Sequence, residues 1–238
     1  MTIAAPNARA TAVLKHPGPP LWVLASLYTA FFIAGLVPVT TAGGLPYWPS
    51  PWEPAAVITH YFQTQAGRVL ACVFLQTGAN VCLGLFTAVV VSRLQFLGVR
   101  AAGVHIALLG GFLTVFDGLA AAFATWAMIH PAVAPNGPVL LALYHLAFAL
   151  GGPGFSIPMG LLMAGVSVTA AFRRLLPRWL VILGLVLAAA GELSVFYFLN
   201  PKLLFLIPLT RFPGFIWIVA VGFLMPNARA SEAKALAA

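Results

Sequence analysis

Apolar residues in this chain neither alternate with polar ones nor recur on a single helical stripe. They run on for whole spans at a time. Six such runs, residues 20–40, 69–91, 101–129, 138–172, 179–199 and 203–225, are separated by short polar or proline-containing stretches. Each exceeds the roughly 18 residues with which a helix crosses a hydrocarbon core of about 30 Å. A backbone in hydrocarbon must satisfy its own polar groups, so runs of this kind fold as helices. The pattern therefore predicts an all-α fold, a polytopic membrane bundle of six transmembrane helices. Residues 20–226 form one transmembrane domain, between a weakly ordered tail, 1–19, and a polar, alanine-rich tail, 227–238. The first run is longer than the apolar core of about 7–15 residues in a secretory signal, so it is read as a retained anchor.

Composition agrees. Of the 238 residues 62% are hydrophobic and 7% charged, with 12 Lys/Arg, 4 Asp/Glu and a formal net charge of +8. A soluble domain needs about a quarter of its residues charged. The scarcity of charge excludes most soluble enzymes and nucleic-acid binders, and the positive excess reads as topology instead. With the N-terminus cytoplasmic, Arg9, Lys15, Arg93, Arg100, Arg173, Arg174, Arg178, Arg229 and Lys234 fall inside, and Arg68, Lys202 and Arg211 fall toward the outside. The bias has the right sign at every loop for six helices with both termini in the cytoplasm. Cys72 and Cys82 share one run, about 15 Å apart along a helix, and so cannot bond each other.

Two stretches are irregular. The longest outer loop, 42–68, is rich in proline and aromatics up to Trp52. Residues 53–66 then read as an amphipathic helix at the outer interface, with Ala55, Ala56, Ile58, Tyr61 and Phe62 on its apolar side. The fourth run is too long for one straight crossing. Gly151-Gly152-Pro153-Gly154 stands in its middle, with Pro158 and Gly160 beyond, and predicts a kinked or broken helix. Broken helices are tolerated at membrane depth where protein or a cavity satisfies the freed groups, and they often line transporter sites.

Ionisable residues inside a bilayer are costly and suggest function. Asp117, Glu192, Arg211, His145, Asn80 and Gln76 fall within about one or two helical turns of a common plane, slightly outside the bundle's midpoint. Asp117, Glu192 and His145 are the candidates for proton transfer or catalysis. Arg211, Gln76, Asn80, Tyr144 and Trp126 are the candidates for binding a ligand. A structural role competes with this: a Glu192–Arg211 pair, and Asp117 bonded to Asn80 or Gln76, would act as glue between helices. Retinal is excluded, because Lys15, Lys202 and Lys234 lie in tails or loops. His105 and His145 differ in depth by about 20 Å, which argues against a bis-histidine haem. His60, His130 and His145 lack metal-ligand spacing, and no nucleotide or nucleophile motif is present. No cofactor and no metal are expected.

From the first run onward the order of features resembles an uncharacterised family of small bacterial six-helix membrane proteins. The resemblance rests on Ser50-Pro51-Trp52-Glu53-Pro54-Ala55-Ala56-Val57-Ile58-Thr59-His60-Tyr61-Phe62 leading to Arg68 and the second run. It continues with Arg93 closing that run, Pro177-Arg178-Trp179-Leu180 opening the fifth, and Pro213-Gly214-Phe215-Ile216-Trp217 in the last. It implies the six-helix architecture and a bacterial cytoplasmic (inner) membrane, and brings no substrate or catalytic residues.

Three functions fit these observations. The first, and preferred, is binding or transport of a lipophilic or protonatable small molecule at a polar site in the outer half of the bundle. The second is an intramembrane enzyme acting on a lipid or isoprenoid, with Asp117 or Glu192 as acid/base. The third is an accessory subunit of a larger membrane complex. The expected partners are membrane lipids and a lipophilic small molecule, with a larger complex or a homo-oligomer as further options and no nucleic acid.

Overall fold

Residues 13–230 are described by the computed structural model. The elements are α1 (Leu21–Leu36), α2 (Ala55–Thr64), α3 (Ala66–Phe96), α4 (Ala102–Met128), α5 (Gly137–Ala149), α6 (Phe155–Phe172), α7 (Arg178–Leu193) and α8 (Leu206–Leu224). Two short strands, β1 (Val13–Lys15) and β2 (Ala228–Ala230), flank them. Six stretches are long and apolar enough to cross a membrane: Leu21–Val39, Ala66–Phe96, Ala102–Met128, Gly137–Phe172, Arg178–Phe198 and Pro201–Leu224. The chain is a multi-pass integral membrane protein. Five of these spans match the predicted runs closely. The second is longer at both ends, because α3 carries Arg68 and Arg93 within its helical ladder.

Local chemistry sets the boundaries. Pro20, Pro54 and Pro177 stand in extended conformation immediately before α1, α2 and α7, where a missing N–H costs nothing. The Asn136 side chain accepts from the Val139 N–H at 3.2 Å to open α5, and Asn200 accepts from Lys202 N–H at 3.0 Å ahead of α8. Gly98, with φ of 84°, ends α3.

Consecutive spans pack side by side. α1 lies against α3, α3 against α4, α4 against α6, α6 against α7, α7 against α8, and α8 returns to α1. The ring is filled by α6, which also meets α3 and α8, and whose span is the most buried of the six. Phe86, Leu83, Met159, Leu162, Met163 and Trp217 form the centre of this core. Small residues let α4 and α6 touch backbone to backbone. A methyl added at Gly110 would stand 2.5 Å from the Leu162 amide and 2.6 Å from the Pro158 carbonyl, and one at Gly165 would stand 2.5 Å from the Gly103 carbonyl. Packing of this kind holds helices together where hydrocarbon removes the hydrophobic drive between them. Cys72 and Cys82 are buried and unbridged, as their spacing on one helix requires.

The two ends of the bundle differ. One carries the long connections, and α2 caps it. Ile58, Tyr61 and Phe62 of α2 are buried against Val69, Val73, Leu140 and Tyr144, so three residues of the expected apolar side pack on the bundle, while Ala55 and Ala56 are exposed. Arg68 pins the preceding loop: Nη1 donates to the carbonyls of Gly44 (3.1 Å) and Pro46 (2.9 Å), and Nη2 to Gly43 (2.9 Å). The other end carries both terminal segments. Here the expectation of a weakly ordered N-terminal tail is corrected for residues 13–19, which are held against residues 227–230. β1 pairs antiparallel with β2, Leu14 opposite Arg229. His16 Nε2 lies 3.0 Å from Ser92 Oγ, and Arg229 Nη1 donates to the Phe96 carbonyl at 2.8 Å. The remainder of both tails, with Arg9 and Lys234, lies outside the described residues.

Two outcomes follow from this packing. Gly110→Val forces α4 away from α6 and should lower unfolding stability by about 1–3 kcal/mol, measured by thermal unfolding in detergent. Burial, and after it the Arg93 charge, hold the His16 imidazole below the ordinary histidine value. The fold thus favours the neutral ring, so its contribution is complete above about pH 6.5 and is lost as the pH falls toward the depressed value. The thermal midpoint of the native protein should drop more than that of His16→Gln between about pH 8 and about pH 5.5.

Candidate functional site

The fourth span is where the helical ladder is weakest. Pro153 has no N–H to give, and the glycines around it do not hold the backbone to α-geometry. The chain does not unwind there. It passes through one wide π-turn, Leu150–Gly154, and resumes as α6. The expected kink or break is therefore a bulge within a continuous span. Such bulges often mark functional positions.

A cavity of about 280 Å³ opens beside this turn. Ala147, Gly151 and Phe155 supply its wall on the bulge side, and Gly118, Ala121, Ala122 and Thr125 supply it from α4. Cys72, Val73, Gln76 and Asn80 of α3 face them, with Phe32 and Leu36 of α1 and Arg211 of α8 closing the ring. Val39, Thr40 and Trp48 line it toward the capped end. The segment bearing Trp48 is firmly held: its amide donates to the Val39 carbonyl at 2.8 Å, and the buried Tyr144 hydroxyl donates to the Pro49 carbonyl at 2.7 Å.

The lining is apolar except for a few groups. Gln76 Nε2 donates to the Phe32 carbonyl at 3.1 Å, tying α3 to α1. Asn80 Nδ2 donates to the Gln76 carbonyl at 2.9 Å, while its Oδ1 is buried against Gly118 with no donor. Arg211 is the one charge in the lining. Its Nη2 donates to the Gly151 carbonyl in the bulge. Its guanidinium carbon lies 4.5 Å from the centre of the Phe155 ring and 5.4 Å from that of Phe32. Its Nε is buried without a partner. A guanidinium stays protonated even in such surroundings.

Of the eight residues proposed from sequence, Gln76, Asn80 and Arg211 line this cavity. Asp117 precedes Gly118 but lies against Gly154, outside the lining. Glu192 is exposed on α7, beside Gly160 of α6. Neither acid forms an ion pair with Arg211 among the described residues, so the candidate Glu192–Arg211 pair is absent; Asp117 bonds neither Asn80 nor Gln76. His145 is exposed and touches the Tyr144 ring edge-on. Tyr144 serves the loop rather than the cavity. Trp126 is half exposed and meets His130 on the outer face of α4. Among the described residues no three His, Cys, Asp or Glu side chains converge. Phe32 and Phe155 are among the cavity residues that sequence reasoning did not nominate, whereas Trp48 belongs to the proline- and aromatic-rich outer loop that the sequence singled out. Aromatics inside apolar runs carry no distinguishing signal, although the Gly-Gly-Pro-Gly motif stands immediately before Phe155.

The arrangement separates two kinds of polar residue. Tyr144→Phe leaves a buried carbonyl unpaired and should cost about 1–3 kcal/mol in unfolding stability. His145→Gln and Trp126→Leu, both on exposed faces, should change it by less than about 0.5 kcal/mol in the same measurement.

Comparison of the chain with protein-family models, with curated proteins and with solved structures finds no match, and its functional reading rests on this cavity.

Proposed function

We propose that this integral membrane protein binds a lipophilic small molecule in the cavity beside the π-turn, as a binding protein or a transporter. The observation that carries the reading is the cavity itself: a largely apolar chamber of about 280 Å³ whose lining includes a few polar residues, Gln76, Asn80 and Arg211 with Thr40 and Thr125. Apolar walls with a few fixed polar groups are the usual make-up of a small-molecule site. The bulge places an irregular turn of the fourth span in the cavity wall, and interrupted helices of this kind often form transporter sites. An acid/base enzyme draws less support, because Asp117 and Glu192 stand outside the lining.

The reading includes a bacterial cytoplasmic membrane with both termini cytoplasmic. Supporting this orientation, Lys15, Arg93, Arg100, Arg173, Arg174, Arg178 and Arg229 cluster at the terminal end, which holds no acid among the described residues. The cavity then lies in the outer half.

Purified protein should carry a lipophilic molecule recoverable by solvent extraction and identified by mass spectrometry. Ala121→Phe fills the chamber from α4 and should reduce the recovered amount at least about tenfold. Recovery of nothing specific from the native protein, or equal recovery from the variant, would refute the reading.

A further inference from the structure

Resting on that reading, we infer that the ligand is an anionic, single-chain amphiphile whose head group, a carboxylate or a phosphate, is held by Arg211 while its tail fills the apolar chamber. The inference starts from charge. Arg211 stands in the last span, bonded to one backbone carbonyl and set against two neighbouring aromatic rings, with no carboxylate in ion-pair contact among the described residues. An isolated cation at membrane depth is expensive. Aromatic faces and a single carbonyl offset part of that cost, but they leave Nε without an acceptor. The two nearby acids do not supply one: Asp117 is turned to Gly154, and Glu192 to Gly160.

The missing acceptor must be anionic to cancel the charge, and a guanidinium fork suits the oxygens of a carboxylate or phosphate. The Gly151 carbonyl and the faces of Phe32 and Phe155 hold the guanidinium in place at the chamber wall. The rest of the molecule is specified by the walls. Ala121, Ala122, Val73 and Leu36 offer nothing to a polar body. At about 280 Å³ the chamber is at the small end of ligand sites, about 300–1,000 Å³. It suits one hydrocarbon tail better than two. A neutral lipid would bury its tail equally well and leave Arg211 unpaired, so head-group charge is what this site can distinguish.

The experiment is a competition among four amphiphiles with the same tail. Purified full-length protein in a neutral detergent is incubated with equal, sub-micellar concentrations of dodecanoate, dodecyl phosphate, dodecanol and dodecyltrimethylammonium, and the adducts are counted by native mass spectrometry. We expect the two anions to exceed dodecanol and the ammonium compound at least tenfold, and Ala121→Phe to remove both anionic adducts. Arg211→Gln should bring the anions down to the level of dodecanol. This comparison within the native protein needs no variant, so a poorly folding Arg211→Gln does not spoil it. In that event Arg211→Lys, which keeps the charge without the fork, should keep the preference for anions over dodecanol. The stronger of the two anionic adducts identifies the source, fatty acid or phosphate ester. Equal binding of dodecanol and the anions, all sensitive to Ala121→Phe, would overturn this inference and leave the cavity reading standing. Anionic adducts indifferent to Ala121→Phe would place the anions on the cationic terminal end and overturn it as well. If no amphiphile binds in a manner sensitive to Ala121→Phe, both readings fail.

Discussion

A polypeptide in hydrocarbon has no water to turn to, and every amide and carbonyl must find its partner within the protein. This constraint shapes the molecule at every scale. It makes the six spans helical, and it makes the π-turn at Leu150–Gly154 a place that other parts of the structure must serve. Pro153 removes a donor from the ladder. One carbonyl of the same turn, that of Gly151, receives its hydrogen bond from Arg211, on a different helix and sixty positions away in the chain. The bulge and the arginine are thus joined by a single contact: the turn gains a donor, and the cation gains one of the few neutral acceptors available at that depth.

The cavity follows from the same constraint. Ala147, Gly151 and Phe155, on and beside the wide turn, form the wall of the chamber that faces α4. Small residues on the facing helix, Gly118, Ala121 and Ala122, leave the space open. The cap of α2 and the Arg68-anchored loop then roof the chamber with Trp48. Each of these elements has a structural reason of its own, and together they isolate one positive charge in an apolar room.

Much of this was legible along the chain, and the illegible part has a geometric cause. Runs of apolar residues reveal depth, since each residue advances a helix by about 1.5 Å. Depth was enough to group Gln76, Asn80 and Arg211, which the structure does bring together. It was not enough to exclude Asp117 or Glu192. Successive residues on a helix point about 100° apart, so Asp117 misses the chamber that its neighbour Gly118 lines. When a span is apolar on all sides, no stripe records which way it faces. Tyr144 shows the same limit: its depth is that of the site, but its hydroxyl reaches a loop carbonyl. The paired strands Val13–Lys15 and Ala228–Ala230 are too short to leave a pattern, and their pairing joins segments from opposite ends of the chain.

The closure of the ring has a consequence for biosynthesis. Helices enter a membrane in the order in which they are made. Here the last span seats against the first and also carries the arginine that completes the bulge in the fourth. Until that last helix arrives, α1 has one open flank, the Gly151 carbonyl has no guanidinium, and the chamber lacks a wall. The chamber is thus the final thing to be completed, and a chain interrupted before its sixth crossing would have five spans and an open-sided cavity.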